Sequence, residues 1–267
     1  MNRLHLLLLL ASLLPTACGG RAAWRTAASE APAEPTRYTY RIKAVYPHST
    51  TAYTQGLCYA DGLLWEGTGE YGRSELRTTD LETGRTQTLA RLPESEFGEG
   101  IALVDTLVYQ LTWESNTCHV YDRRTGEELR RFRYAGEGWG LASDPEGRKL
   151  WFTNGSANLY ELDLVTFRRT ATRTVTLAGE PVRFLNELEW IDGRLWANVY
   201  TTDEIVVIDP ATGVVEGIVD LTGLLPEAER TPATDVLNGI AYDAATKRIF
   251  VTGKRWPHIY EIEPVER

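Results

Sequence analysis

The sequence predicts an all-β protein, a five-bladed β-propeller whose ring is closed by the N-terminal strand completing the last blade. Three observations carry this. A junction recurs five times, with a polar or aromatic residue at the mouth of a hydrophobic run: Thr54-Gln55-Gly56-Leu57, Phe97-Gly98-Glu99-Gly100-Ile101, Gly138-Trp139-Gly140-Leu141, Leu185-Asn186-Glu187-Leu188 and Leu237-Asn238-Gly239-Ile240. A turn signal also repeats, at Asp80 to Gly84, Asp122 to Gly126, Asp163 to Thr166 and Asp209 to Gly213. In Asp-x-x-Thr-Gly the Asp accepts backbone N–H bonds and the Gly takes positive φ. Finally, the helix-period signal is weak throughout, while short runs alternate with period two. Four short strands in every roughly 40–50 residues is the pattern of a propeller blade.

The elements follow in order. Residues 38–46 form an unpaired strand. Inner and second strands follow as the pairs 56–59 and 63–66, 100–104 and 107–110, 140–142 and 150–153, 187–191 and 195–198, and 239–242 and 249–252. A third strand ends at each Asp turn, and outer strands are expected at 88–92, 129–132, 174–177 and 216–221. The last unit ends with 258–262 and has no outer strand of its own, so strand 38–46 is placed there, which removes both sheet edges. Residues 224–230 read as one short helical turn.

The propeller is assigned to 38–267. Before it, Arg3 and the apolar run 4–14 read as a signal peptide over 1–17, too short to span a bilayer permanently. Ala17-Cys18-Gly19 matches a bacterial lipidation box, with Pro15 as a departure, so Cys18 is the expected lipidation site and 18–37 a flexible tether. An exported envelope protein is expected, a lipoprotein facing the periplasm or else periplasmic or secreted. Its membrane contact would run only through the anchor, and it is expected to be a monomer.

The chain of 267 residues is 43% apolar, enough for a sizeable core. A net charge of −9 without a basic run argues against nucleic acid as a partner. Cys58 and Cys118 could pair in an exported protein or remain buried free thiols. The four His are scattered without metal-ligand spacing, so no metal and no cofactor is expected.

In a four-stranded meander, the connection into the inner strand and the connection after the second strand lie on one face. That face gathers Gln55, Glu99, Trp139, Asn186, Glu187 and Asn238 from the first set, and Trp113, residues 200–203 and Lys254 from the second. Convergent polar groups in an apolar setting define a candidate site. The glycines around Glu99 suggest close backbone approach to a ligand, against the alternative that Glu99 ties neighbouring blades together. Glu187 and Glu189 compete for the same role, and alternation turns Glu189 away. Gln55 and Asn186 suit a substrate amide, or else hydrogen bonds between blades. Eight Trp against one Met suggest indoles lining a pocket, and Trp113, Trp139 and Trp196 are placed there, with packing between blades as the alternative. Trp65 and Trp151 sit mid-strand and read as core.

Taken together, these motifs with Tyr53-Thr54, Gln110-Leu111-Thr112-Trp113, Trp196-Ala197-Asn198 and Thr252-Gly253-Lys254-Arg255-Trp256-Pro257 resemble the plant and bacterial type of glutaminyl-peptide cyclotransferase, from about Tyr46 to Glu263. Tyr53 stands where that family often has Phe. The resemblance implies a five-bladed propeller that cyclises N-terminal Gln of peptides or proteins to pyroglutamate with release of ammonia. It implies Glu99 as proton shuttle, Lys254 as oxyanion partner or as the charge that holds the Glu ionised, and Gln55 and Asn186 as anchors of the substrate, with Trp113, Trp139 and Trp196 excluding water. Whether Glu99 or Glu187 carries the proton stays open at this stage. A non-catalytic envelope propeller that binds peptides or proteins is the alternative. A metal-dependent propeller lyase or lactonase lacks a ligand cluster in the sequence.

Overall fold

The computed structural model describes residues 34–267. The expected signal peptide, Cys18 and the tether up to residue 33 lie outside the described residues. The chain opens with β1 (Thr36–Pro47), which starts inside the stretch read as tether. Antiparallel meanders follow: β2 (Thr54–Ala60), β3 (Leu63–Thr68), β4 (Glu75–Asp80) and β5 (Thr86–Arg91); then β6 (Gly98–Val104), β7 (Leu107–Thr112), β8 (Thr117–Asp122) and β9 (Glu128–Arg133). Next come β10 (Leu141–Ser143), β11 (Lys149–Phe152), β12 (Asn158–Asp163) and β13 (Arg169–Thr174), and a small hairpin of β14 (Thr176–Leu177) and β15 (Glu180–Pro181). The chain ends with β16 (Leu185–Ile191), β17 (Arg194–Val199), β18 (Glu204–Ile208), β19 (Val215–Asp220), β20 (Leu237–Asp243), β21 (Arg248–Gly253) and β22 (His258–Glu266). Among the described residues, a 3-10 turn at Glu227–Glu229 falls within the expected helical stretch.

The architecture is all-β and propeller-like. The first strand of each meander lies beside the first strand of the next, in the order β2, β6, β10, β16, β20 and back to β2. Strand β1 pairs antiparallel with β22, from Tyr38 opposite Glu266 to Pro47 opposite His258. Its first residues, Thr36 to Tyr38, also run parallel to Gly217–Val219 of β19, joining the last two meanders into one eight-stranded sheet.

Burial explains the sequence pattern. Strands β2, β3, β6 and β7 are buried almost throughout, while β5, β9 and β13 are mostly exposed. Strands packed on both faces need continuous apolar runs rather than alternation. Each apolar cluster sits between two successive meanders. Cys58, Trp65 and Leu76 meet Ile101, Val108 and Tyr121, and Leu57 and Leu64 meet Phe250 and Ile259. Each fully buried Leu, Ile or Phe contributes about 1.5–3 kcal/mol. Cys58 and Cys118 are both buried free thiols.

The Asp turns form as read. Asp80, Asp122 and Asp163 each accept the N–H of the Thr three residues on at 2.8 Å. Where the third copy lacks Gly, Phe167 takes φ +56°. It is buried against Phe132, 5.2 Å between ring centroids, so packing offsets the backbone cost. The outer strand expected at 174–177 is β13 instead, ending at Thr174. Ala178 and Gly179 both take positive φ, and that tight turn folds Thr176–Leu177 into the separate hairpin.

Candidate active site

Four of the five recurring junctions carry a β-bulge or register shift; the third, at Trp139-Gly140, lies ahead of β10 and carries none. Register shifts fall between Thr54 and Gly56, Gly98 and Ile101, Leu185 and Leu188, and Leu237 and Ile240. A bulge bends the strand and re-aims a side chain. At these places the re-aimed residues include Gln55, Glu99, Asn186, Glu187 and Asn238.

Four polar side chains, Gln55, Glu99, Asn186 and Lys254, line a cavity of about 270 Å³ walled by Tyr53, Phe97, Trp113, Trp139 and Tyr200. That volume is at the small end for a ligand pocket, near the size of one residue rather than a drug-sized molecule. Glu99 is only 4% exposed, and its Oε1 accepts a hydrogen bond from Gln55 Nε2 at 2.9 Å. The Gln55 amide is oriented from behind: Asn238 Nδ2 donates to Thr54 O at 3.0 Å and to Gln55 Oε1 at 3.2 Å. Burial pushes the Glu99 carboxyl well above the usual carboxylate range, against the pull of the Lys254 ammonium and with help from the Glu137 charge.

Lys254, 3% exposed, follows the end of β21 and is tied by its backbone to Val236 O at 2.9 Å. Its ammonium lies 4.9 Å from the Tyr53 ring centroid and 5.0 Å from that of Tyr200, so two aromatic faces replace lost water. Burial lowers its proton affinity, opposed by Glu99 and Asp235. Tyr53 is fixed by donating to Asp235 Oδ2 at 2.9 Å. Asn186 is buried, and its Oδ1 has no hydrogen-bond partner among the described residues. A buried acceptor left without a partner costs about 1–3 kcal/mol.

The structure thus gathers Gln55, Glu99, Trp113, Trp139, Asn186 and Lys254 around one cavity. Three other sequence-selected residues lie elsewhere. Glu187 turns down the channel, where its carboxylate accepts the N–H groups of Leu57 at 3.2 Å and Ile240 at 2.9 Å and ties β16 to β2 and β20. Asn238 acts one step back, on Gln55. Trp196 is core: it pairs across β17 with Glu189 and Val207 and packs with Ile191, Ile205 and Tyr242. At about 3.3 Å per residue, it sits roughly 13 Å below Tyr200, which fills the wall instead. Glu189 lies beside Cys58 and Ser143, away from this pocket. Alternation is not the reason, since residues two apart share a strand face; the register shift between Leu185 and Leu188 takes in Glu187 and breaks that rule.

The glycines flanking Glu99 have a different cause from the one the sequence suggests. A Cβ on Gly98 would lie 2.5 Å from Thr68 O, and one on Gly100 2.6 Å from Trp139 O. They permit close approach of neighbouring strands, not of a ligand. The walls Tyr53 and Phe97 stand two residues before Gln55 and Glu99, so strand periodicity carried their signal. Nothing local marks Glu137 or Asp235.

Fold and pocket define a propeller-like enzyme-type site, with an acid and a lysine buried among aromatic walls. The sequence profile of the glutamine cyclotransferase family matches residues 13–264. A glutaminyl-peptide cyclotransferase of Arabidopsis thaliana is 41% identical over 228 residues, covering 83% of this chain and 70% of the relative. A crystal structure of Myxococcus xanthus glutaminyl cyclase matches with a TM-score of 0.79 at 34% identity, covering 88% of this chain and 100% of that one. A Bacteroides thetaiotaomicron protein of unknown function shares the fold alone, at 14% identity and a TM-score of 0.54 over 83% of this chain and 75% of that one. The chain belongs to the glutamine cyclotransferase family.

Proposed function

We propose that this protein is an aminoacyltransferase that cyclises N-terminal glutamine of peptides to pyroglutamate, releasing ammonia. Its frame is a five-bladed propeller in which β1 completes the last blade. The observation that carries the reading is the convergence of a buried, weakly satisfied Glu99 with Lys254 and Asn186 on a cavity of single-residue size.

The substrate's neutral α-amine attacks its own side-chain carboxamide carbon. The N–C bond forms, the carbonyl electrons move to oxygen, and the nitrogen becomes cationic. Ionised Glu99 takes one proton from that nitrogen and gives it to the departing NH₂. The C–N bond then breaks, ammonia leaves, and the carbonyl re-forms in the ring. An α-amine of pKa about 8 has a neutral fraction at pH 7. The raised proton affinity of Glu99 brings it closer to the groups it serves, and such a shuttle contributes about 10²–10⁴-fold. Lys254 stabilises the oxyanion. Asn186 Oδ1 accepts an N–H of the substrate, Gln55 holds Glu99 in line, and the aromatic walls exclude water and favour the folded rotamer.

The test is ammonia release from a Gln-initiated dipeptide by the purified protein with EDTA present, with Glu99→Gln as control. Release by wild type alone supports the reading. No release from folded wild type overturns it, and dipeptide binding without release would mark a binding propeller. The lipidation box further supports export with Cys18 as the anchor. Incorporation of labelled palmitate that survives Cys18→Ala would overturn that assignment.

A further inference from the structure

We propose that Glu137, which is not among the residues lining the cavity, is the positioning residue of this site: one carboxylate oxygen clamps the two indoles that wall it. Glu137 Oε2 accepts the Nε1–H of Trp113 at 2.8 Å and that of Trp139 at 2.9 Å. The two Trp come from different meanders, Trp113 just after β7 and Trp139 just before β10. The carboxylate therefore fixes the wall across a seam between sheets. This inference rests on the cyclisation reading and deepens it.

The loop that carries Glu137 is itself anchored. Gly138 N–H donates to Trp113 O at 3.1 Å, and Asn116 Nδ2 donates to Gly136 O at 2.5 Å. Gly136 takes φ +83°, which sets the turn ahead of Glu137. A charged acceptor on a pinned loop makes a stronger and more directional partner for an indole N–H than water. The half-buried site keeps that partner in place without closing the cavity.

The same carboxylate bears on Glu99. The ionisable groups around Glu99 include Lys254, Glu137, Tyr53 and Tyr134, with Tyr200 on the same cavity wall. Burial raises the Tyr53 and Tyr134 phenols, so they stay neutral across the working range. Of the two charges, Lys254 favours ionised Glu99 and Glu137 opposes it. Glu137 thus couples the shape of the slot to the base strength of the shuttle. Removing its charge lowers the proton affinity of Glu99. The acid limb of kcat/KM, which follows ionisation of Glu99, then moves to lower pH.

Two variants separate the effects. Glu137→Gln keeps length and one oxygen acceptor but removes the charge. It should shift the acid limb to lower pH while the near-ultraviolet dichroism of the indoles stays as in wild type. Glu137→Leu removes the acceptor as well. It should alter that dichroism and raise KM for a Gln-initiated dipeptide about tenfold, the scale of losing a charged hydrogen bond. An unmoved limb in Glu137→Gln would overturn the proposal. So would wild-type KM and dichroism in Glu137→Leu, as would lower melting temperatures with both kinetic signatures intact. If wild type itself releases no ammonia, the cyclisation reading fails separately. The clamp is then judged by whether Glu137→Leu changes the dichroism and the quenching of Trp fluorescence by the dipeptide, and no change in either overturns it.

Discussion

Glu66 and Glu99 are the same residue type, buried on strands of successive meanders, and they are treated in opposite ways. Glu66 receives two hydrogen bonds from Arg77, at 2.8 and 2.7 Å, one from Thr54 Oγ1 at 2.6 Å, and lies 3.2 Å from His48 Nε2. Although burial opposes ionisation, Arg77 and His48 hold its carboxyl well below the usual range. Glu99 receives one neutral amide hydrogen bond, faces a lysine across a cavity, and is pushed well above that range. The first acid is saturated by its own chain and is part of the frame. The second is left short of partners, which is costly for folding and useful for moving a proton.

The comparison breaks most sharply by substitution. Glu99→Gln should lower kcat for ammonia release by about 10²–10⁴-fold. Its melting temperature should hold or rise, because a buried carboxylate is removed. Glu66→Gln should do the reverse. It leaves the buried Arg77 guanidinium with only Glu75, 3.5 Å away, as a charge partner, and should cost up to about 3 kcal/mol in urea unfolding. The folded fraction should retain kcat within a few-fold. A Glu99→Gln protein as unstable as Glu66→Gln would erase the distinction.

Stability against pH sharpens the contrast. Glu66 has a depressed folded pKa, so its contribution is present above the unfolded value of about 4.3 and is lost as pH falls toward the folded one. The penalty of Glu66→Gln should therefore shrink in acid. Glu99 has a raised folded pKa, so its protonated form is favoured in the fold and stability is lost as pH rises through that folded value. Glu99→Gln should match wild type in acid and gain on it toward alkaline pH. Urea midpoints from about pH 2, well below the unfolded carboxylate value of about 4.3, up to about pH 9 would show the two difference curves running in opposite senses, or refute the assignment.

Much of this was legible because the repeat was. The Asp turns, the short apolar strands and the missing last strand each constrain the chain locally, so the meanders and the pairing of β1 with β22 follow from them. The five junctions were legible as places, and six of the residues they and the facing loops supplied do meet. What the sequence did not carry was direction at a bulge. Asn186 and Glu187 are adjacent, yet one points into the cavity and the other down the channel to backbone N–H groups. Glu137 was illegible for another reason: its role exists only once two Trp from separate meanders converge on one oxygen.

Trp196 offers the smallest and most local test. It was grouped with Trp113 and Trp139 because indoles look alike in a sequence, but depth along a strand separates them. Trp139 follows a loop and presents its ring to the cavity, 5.6 Å from the ring of Tyr200. Trp196 sits three residues inside the end of β17 and is 9% exposed within an apolar cluster. Trp139→Phe loses the hydrogen bond to Glu137 and should raise KM for the dipeptide. Trp196→Phe should cost about 1 kcal/mol of stability, the ordinary price of a conservative core change, and leave KM where it was. An equal KM effect from both would return Trp196 to the wall and move the floor of the cavity deeper than its described lining.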